Sequence, residues 1–323
     1  MKVLISICTA VTAIAAVHLS EDWATNQGGK LVRDHAGQVI EADFRLSWIT
    51  DSGLESLGVL RDLKRIDLSH TRITDIGFEH LKTLPNVESM NLYFAEQIGD
   101  GALAAMKNWK HLRALNVRGT KVTDTGIEHL AGITSLESLD IGYALVTDGG
   151  FEALTGLTNL KSLSVGGNKI SDVGLNSLRL VPSLTSLDVS GTQRTDSGLW
   201  SASVTDQGLE AIGTLTKLGS LNLHGTKISD AGLNKLSSLA NLRSLDLGAT
   251  QITAKGLATL PAFPKLENLD LSNASRVGDD VLGTLTALPN VRWIDLTGTH
   301  VSAAAVAKLR QAKTNCSVMH SEP

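Results

Sequence analysis

Apolar and polar residues alternate in short runs that return in the same order about every 24 residues along the chain. In residues 63–84, LKRIDLSHTRITDIGFEHLKTL, the apolar Ile66 and Leu68 point to one face and the polar Arg65 and Asp67 to the other. An alternation of this kind is typical of a half-buried β-strand. The sequence therefore predicts a short strand at the start of each run.

A short helix is predicted in the second half of the same run. Thr74 and Asp75 form a helix-start signal, because either side-chain oxygen can accept a hydrogen bond from a free N–H of the first turn. Phe78 and Leu81, three residues apart, bury one helix face, and Gly77 lets the helix approach its neighbour closely. Proline ends the helix at matching positions of three runs, which are Pro85, Pro182 and Pro289.

The run occurs eleven times, with the form L-x-x-L-x-L-x-x-T-x-I-T-D-x-G-L-x-x-L-x-x-L. Its copies begin at an aliphatic residue: Val39, Leu63, Val87, Leu112, Leu136, Leu160, Leu184, Leu218, Leu242, Leu266 and Val291. Nine of the ten spacings are 24 or 25 residues, and one is 34. A fixed period of this size predicts a solenoid, in which stacked units merge their apolar columns into one core.

The repeated unit resembles the leucine-rich repeat family over residues 39–310, and in particular the bacterial repeats that carry TDxGL. Related repeats of eukaryotic F-box proteins have Cys where this chain has Thr71, Thr120, Thr192, Thr226, Thr250 and Thr299. No F-box-like segment is present, so the resemblance implies no role in ubiquitin ligation. It implies an α/β fold, a right-handed solenoid of about 11 repeats with a parallel sheet on a concave face and short helices on a convex face.

The solenoid needs a cap at each end, because a terminal repeat would otherwise expose its core. Residues 18–38 are expected to hold a linker and a capping hairpin whose turn lies at Asp34–Gly37. Residues 39–310 then form the solenoid, and residues 311–323 form a C-terminal cap and tail. The last helix has Ala303 in place of the repeated Asp and gains Lys and Arg, as expected of a more polar closing helix.

The N-terminus has the pattern of a secretory signal peptide over residues 1–17, with one Lys before an apolar run from Val3 to Val17. After its removal only Cys316 would remain, which excludes an internal disulfide. We therefore expect a secreted or periplasmic protein without a stable membrane span. An uncleaved N-terminal anchor and a cytoplasmic location are the alternatives. A net charge of −4 argues against nucleic acid as a partner.

A column of polar residues is predicted on the concave face, between the two core residues of each strand. It consists of Asp43, Asp67, Asn91, Asn116, Asp140, Ser164, Asp188, Asn222, Asp246, Asp270 and Asp295. Because strands lie about 4.8 Å apart, neighbouring carboxylates could serve a glycosidase or a hard cation. An active site differs from its surroundings, however, whereas this column is nearly uniform. We expect a solvated polar ladder that attracts basic partners, with no catalytic residue, metal or cofactor.

The next outward column varies from rung to rung, and a repeat scaffold does not demand such variation. Aromatic and basic residues occur there on four successive rungs in the first half of the chain, and Tyr and Arg dominate the hot spots of protein interfaces. We predict a binding site for a protein or peptide from these residues and two nearby acids: His70, Tyr93, Phe94, Arg118, Tyr143, Asp67 and Asp140. The alternative for Phe94, in a 25-residue repeat, is that its ring turns inward as core filler.

The 34-residue repeat contains TDxGL twice, at Thr195–Leu199 and Thr205–Leu209. This duplication predicts a surface loop of about ten residues, within 193–203, between a strand and its helix. The loop carries Trp200, which is a second binding candidate beside the concave rim. A duplication that has drifted neutrally on a tolerant loop is the alternative.

Motifs of enzymes and metal sites are missing from the sequence, which contains no H-x-x-x-H, no C-x-x-C and no G-x-S-x-G. The glycines recur with the repeat and do not form a nucleotide-binding loop. We therefore predict a non-enzymatic protein-binding scaffold that presents a concave surface. The alternative is a structural or envelope-associated protein, with carbohydrate as a ligand.

Overall fold

The computed structural model describes residues 23–195 and 198–321, so the expected signal peptide, 1–17, lies outside the described residues. The chain divides into two compact units, Met1–Leu145 and Val146–Pro323, which we call the N-terminal unit and the C-terminal unit. In both units short parallel strands alternate with short helices or helical turns. The predicted repeat solenoid is thus confirmed.

The described part of the N-terminal unit contains one sheet, whose strands follow each other in chain order. They are β1 (Lys30–Arg33), β2 (Val39–Asp43), β3 (Arg65–Asp67), β4 (Ser89–Asn91), β5 (Ala114–Asn116) and β6 (Ser138–Asp140). β1 and β2 form an antiparallel hairpin, and all later pairs are parallel. The helices of this unit are α1 (Asp51–Gly58), α2 (Asp75–Phe78), α3 (Asp100–Met106) and α4 (Asp124–Leu130).

The C-terminal unit repeats this arrangement. Its strands are β7 (Ser162–Ser164), β8 (Ser186–Asp188), β9 (Thr192–Thr195), β10 (Gly198–Ser201), β11 (Ser220–Asn222), β12 (Ser244–Asp246), β13 (Asn268–Asp270), β14 (Trp293–Asp295) and β15 (Ser317–Met319). All except β9 and β10 pair in parallel, with β8 next to β11. Its helices are α5 (Phe151–Leu154), α6 (Asp172–Asn176), α7 (Leu209–Ile212), α8 (Asp230–Asn234), α9 (Ala254–Leu257), α10 (Leu282–Ala287) and α11 (Ala303–Ala312).

Short 3-10 turns replace or extend the helices of several repeats in the C-terminal unit. They cover Asp148–Gly150, Ser177–Leu180, Leu260–Ala262 and Asp279–Val281. Each repeat has room for only one or two helical turns, so the stability of these helices comes from packing on the sheet. None of the helices in the described parts of the chain has the length and apolar character of a membrane span.

The core consists of aliphatic columns contributed once per repeat. All eleven aliphatic residues that open the repeats are buried, with at most 5% of the surface of any one exposed. The middle residue of each strand, such as Leu115 or Leu245, is buried as well. Burying a leucine of this kind stabilises a fold by about 1.5–3 kcal/mol, so packing along the columns holds the repeats together.

A column of threonine hydroxyls lies inside this apolar core. Each hydroxyl donates a hydrogen bond of 2.6 Å to the carbonyl three residues earlier, at Thr71, Thr120, Thr226, Thr250 and Thr299. The bond satisfies a polar group that burial would otherwise make costly. Threonine therefore serves the turn after the strand, at the position where the related repeats have cysteine.

The Asp at the TDxGL position connects most repeats to the next one, which the sequence pattern alone did not indicate. Asp51 accepts hydrogen bonds from the backbone N–H of Thr74 (2.7 Å) and from its hydroxyl (2.6 Å). Asp100, Asp148, Asp172, Asp206, Asp230 and Asp279 form the same pair of bonds to the Thr or Ser of the following repeat. We call this arrangement the Asp clasp.

The expected roles of Gly77 and Thr74 are both present. A Cβ on Gly77 would lie 2.7 Å from Oδ1 of Asp51 and 2.8 Å from Leu54, so only glycine admits the clasp. The Thr74 hydroxyl caps α2 by accepting a bond from the N–H of Ile76. Thr74 therefore caps its own helix, whereas Asp51 binds the neighbouring repeat.

The insertion in the 34-residue repeat is a two-stranded antiparallel ribbon rather than an irregular loop. β9 and β10 pair in register, and Trp200 lies opposite Gln193. The chain rejoins the repeat at Ser203, whose N–H donates to the carbonyl of Ile170 (2.6 Å). The insertion lies between a strand and its helix as expected, and it differs from the expected loop in that the added segment is long enough to pair with itself.

The chain ends on a strand that the sequence pattern did not indicate. After α11, β15 adds a parallel strand beside β14, and Arg310 donates a hydrogen bond of 2.7 Å to the carbonyl of Val318. Its three residues are too few to show a period. The last strand is therefore covered by a side chain of the closing helix.

Candidate functional site

The polar column lies in register within each unit. Asp67 pairs with Asp43 and Asn91 in the N-terminal unit, and Asp270 pairs with Asp246 and Asp295 in the C-terminal unit. In most rungs Oδ1 accepts a hydrogen bond from the N–H two residues later, and in the rungs of Asp67, Asp140, Asp246 and Asp295 that bond is 2.7–2.9 Å long. Asp and Asn at these positions cap the strand end as an Asx-turn does. The column is therefore primarily a backbone element.

In the N-terminal unit the carboxylates of this column have partners from the chain itself. Asp43 binds Arg45 at 2.8 Å, and the Arg45 guanidinium holds the pKa of that carboxyl below its ordinary value. Asp67 accepts a bond from the side-chain amide of Asn91 (3.0 Å). Arg118 lies 3.5 Å from Asp140. The charges of this sheet face are thus largely neutralised.

The C-terminal unit leaves its column more acidic. No Lys or Arg occupies the outward strand positions of β7, β8 and β11–β14. Burial raises the pKa of Asp246, and the nearby charge of Asp270 raises it further. His224 lies 3.5 Å from Asp246. The same column therefore has a different electrostatic character in the two units.

Three residues after the column position, the backbone turns out of the sheet through the left-handed region. In the N-terminal unit φ is 58° at Leu46, 55° at His70, 51° at Phe94, 71° at Gly119 and 52° at Tyr143. In the C-terminal unit the equivalent turns use Gly167, Gly191, Gly225, Ala249, Asn273 and Gly298. A bulky L-residue is rare in this region and costs roughly 1–2 kcal/mol there. The N-terminal unit thus has four strained side chains where the C-terminal unit has small ones.

The structure brings three of the predicted site residues into one aromatic cluster. The rings of His70 and Phe94 stack at 5.8 Å with an angle of 11° between their planes. Tyr93 lies edge-on to both, at 5.2 Å from His70 and 4.7 Å from Phe94. On its other side Phe94 lies over Gly119, where a Cβ would be 2.9 Å from the ring. The Phe94 ring is therefore half-buried on the surface and does not fill the core.

Arg118 and Tyr143 form a second pair on the next two rungs. The Arg118 guanidinium lies 4.5 Å from the centre of the Tyr143 ring, in cation–π geometry. The backbone of Arg118 is joined to that of the aromatic cluster, because the N–H of Phe94 donates to the carbonyl of Arg118 (2.8 Å). Asp140 completes the pair as the acid beside Arg118.

Two exposed residues at the start of the same row were not predicted from the sequence. Leu46 is 72% exposed and Trp48 is 70% exposed, and the N–H of Leu46 donates to the next rung (3.0 Å). The sequence does contain an indication of this row, because glycine occupies the position equivalent to Leu46 in several later repeats. We call the whole row the aromatic strip: Leu46, Trp48, His70, Tyr93, Phe94, Arg118 and Tyr143.

A shallow cleft lies beside the aromatic strip, between the second and third rungs. It has a volume of about 650 Å³ and is lined by His70, Thr71, Arg72, Phe94, Glu96 and Gln97. The stacked rings form one wall, and polar residues form the mouth. Such a cleft can receive one side chain of a partner.

The remaining candidate, Trp200, belongs to the other unit of the chain. It belongs to β10, in the C-terminal unit, and its side chain lies outside the described part of the structure. Within residues 23–195 and 198–321 no group of three or more His, Cys, Asp or Glu is placed to hold a metal ion.

Comparisons with known proteins agree with this architecture. Two family models, both described as leucine rich repeat, match the chain. One matches residues 134–193, and the other matches residues 110–131 and 238–260. The chain carries leucine-rich repeats. The crystal structure of an internalin from Listeria monocytogenes is similar, with a TM-score of 0.64 and 25% sequence identity over 82% of this chain and 69% of the internalin. No curated protein matches the sequence.

Proposed function

We propose that this leucine-rich repeat chain is a non-enzymatic scaffold whose aromatic strip binds a protein partner. The main support is the left-handed backbone at Leu46, His70, Phe94 and Tyr143. The C-terminal unit makes the same turns with smaller residues, so the fold does not require bulky side chains there. Strain of this kind is found at ligand-binding positions, and contacts with another molecule would account for it.

The geometry of the rings favours a protein over a carbohydrate. A sugar stacks on an exposed ring face, and of the strip's rings Trp48 is 70% exposed, but both faces of Phe94 are occupied, by His70 and by Gly119. One face of Tyr143 is covered by Arg118. Ring edges, an aliphatic side chain and an arginine are the mixture that protein interfaces use.

A non-enzymatic role is supported by what the carboxylates do. In a glycosidase two carboxyl groups must be free to donate a proton and to attack the substrate. At the aromatic strip, Asp67 and Asp140 instead accept bonds from the backbone N–H groups of Ser69 and Gly142 and face Asn91 and Arg118. These groups hold the strand ends and balance charge.

Attraction of a basic segment, which the polar column favours, is proposed for the C-terminal unit only. The second carboxylate oxygens of Asp270 and Asp295 have no side-chain partner among the described residues. Such attraction acts at a distance and weakens with salt. Binding that survives high salt would assign the contact to the aromatic strip instead.

We further propose export, on the pattern of residues 1–17, and a TDxGL-type bacterial repeat, on the recurrence of that phrase. N-terminal sequencing of the mature protein tests export. A mature chain that begins after residue 17 supports it, and one that begins at Met1 contradicts it.

Affinity capture with the full chain tests the binding function. The double variant Tyr93→Ala and Arg118→Ala should lose the partner and keep its thermal stability, because both side chains are surface groups. His224→Ala, at the equivalent column of the C-terminal unit, is the matched control. Retention of every captured protein by the double variant, or capture of purified glycans alone, would contradict the proposal.

A further inference from the structure

The aromatic strip also indicates what kind of surface it recognises. Building on the proposed binding function, we infer that the partner contacts the strip through the apolar face of an amphipathic α-helix that has no charge at the contact. Three properties of the strip support this inference: its charges, its repeat distance and its exposed anchors.

The charges at the strand ends beside the strip are already paired within the chain, and the cleft adds one charge of each sign, Arg72 and Glu96. Arg45 binds Asp43 at 2.8 Å, Arg65 binds Glu41 at 2.7 Å, and Arg118 lies 3.5 Å from Asp140. Along the strand ends a charged side chain of the partner would lose its water without gaining a free counter-charge, which is unfavourable. Since the two cleft charges are of opposite sign, the complementary surface is neutral in sum.

The repeat distance of the strip fits a helix. The N–H groups of Leu46, His70, Phe94 and Gly119 each donate to a carbonyl on the next rung, at 2.8–3.0 Å, so the left-handed residues follow the spacing of the strands. From Leu46 to Tyr143 the row spans four intervals of about 4.8 Å, roughly 19 Å in all.

An α-helix offers one apolar position per turn of about 5.4 Å, so about 13 residues would follow the strip rung by rung. A β-strand repeats its same-face side chains about every 6.7 Å and falls out of step by nearly one rung after two intervals. Amphipathic helices bind apolar grooves through apolar residues at positions i, i+3 or i+4, i+7 and i+11.

The exposed anchors lie where such a helix needs them. Leu46 and Trp48 present most of their surface to solvent at one end of the strip. The cleft beside the stacked rings of His70 and Phe94 can receive one side chain, and Tyr143 closes the other end. An apolar stripe of a helix would bury these groups together, which drives association by the hydrophobic effect.

Selection from a displayed library of random peptides about 15 residues long, four helical turns, tests the inference directly. The full-length protein is the target, and the glycine variant, with Leu46→Gly, His70→Gly, Phe94→Gly and Tyr143→Gly, is selected in parallel. We expect peptides enriched on the wild type alone, with apolar residues at helical spacing and no excess of Lys, Arg, Asp or Glu on that face. A resynthesised peptide should gain helical circular dichroism on binding and bind the glycine variant at least about tenfold more weakly.

Enrichment of basic peptides, of peptides with a two-residue apolar period, or of none at all would overturn the inference. Self-association of the wild type that the glycine variant lacks would overturn it too, because the occupant would then be a second copy. If the glycine variant fails to fold, Leu46→Gly alone, which removes one exposed anchor, replaces it in the same comparison. If captured proteins depend on Tyr93 and Arg118 while the selected peptides are basic, only the helix inference fails and the binding function stands.

Discussion

The two units share one skeleton and differ in what they place on it. Both have buried aliphatic columns, buried threonine hydroxyls and Asp clasps. At the left-handed turn the N-terminal unit has leucine, histidine, phenylalanine and tyrosine, whereas the C-terminal unit has mainly glycine. The shared features are those that the fold requires. The features that differ are available for function.

The largest effect should be the same in both units. Asp51→Ala and Asp230→Ala each remove the acceptor of two hydrogen bonds to the next repeat. Bonds to a charged acceptor are worth about 1.5–3 kcal/mol each, so each variant should lose roughly 3–6 kcal/mol of unfolding free energy. Chemical denaturation measures this loss, with the exposed Asp62→Ala as the control. A loss in one unit only would contradict the idea of a shared skeleton.

The turn itself should resist a side chain where the C-terminal unit has glycine. Gly225 has φ of 73° and open space around a Cβ, so Gly225→Ala introduces backbone strain and no clash. We expect a loss of about 1–2 kcal/mol in unfolding free energy. Gly283→Ala, in helix α10 with equal space but without positive φ, should be neutral or stabilising by up to about 1 kcal/mol. Equal values for the two variants would show that the turn stores no strain.

The opposite substitution should be harmless in the N-terminal unit. Leu46→Gly relieves the left-handed strain of an exposed side chain, and the relief is offset by the greater freedom of glycine in the unfolded chain. The unfolding free energy should change by less than about 1 kcal/mol, in either direction. A loss above 2 kcal/mol, about what a core leucine costs, would make Leu46 a structural residue.

The smallest expected effect is the pH dependence of stability, which should have opposite signs for Asp43 in the N-terminal unit and Asp246 in the C-terminal unit. Arg45 lowers the pKa of Asp43, so this carboxylate stabilises the fold above its unfolded pKa, near 3.8, and the stability is lost as pH falls through the lower folded pKa. Burial raises the pKa of Asp246, so its folded state favours the proton, and stability is lost as pH rises through the raised value.

At pH 7, Asp43→Asn should therefore destabilise the protein and Asp246→Asn should stabilise it, each by less than about 1 kcal/mol. The Asp246 difference should vanish once the pH is below the ordinary carboxyl pKa of 3.8, and the Asp43 difference only once the pH is below the lowered folded pKa of Asp43. Unfolding curves at pH 7 and at low pH measure them. Changes of the same sign at pH 7 would mean that the column has one electrostatic character.

The fold could be predicted from the sequence because the repeat shows the same constraint eleven times. The burial of Leu63 and its equivalents could be predicted from the sequence alone, since apolar periodicity indicates burial directly. The Asp clasp was not predicted, because a pattern shows that Asp51 recurs but not that its oxygens reach Thr74 of the next repeat. Contacts between repeats have no signature within one repeat.

The candidate site was predicted in part. His70, Tyr93 and Phe94 were found because they interrupt a regular column, and the structure places their rings together. Leu46 and Trp48 were missed because leucine and tryptophan next to a strand are indistinguishable from core residues by composition. The left-handed turn, visible as glycine in Gly167 and its equivalents, is the feature that separates them.

The central claim is that the aromatic strip exists for binding and not for folding. Its most direct test measures unfolding free energy and partner capture together on the glycine variant, in which Leu46, His70, Phe94 and Tyr143 are replaced. The account predicts that stability falls by no more than about 2 kcal/mol, since relieved strain offsets the lost ring contacts, while the captured partner is lost. A variant that unfolds easily yet still captures the same partner would contradict it.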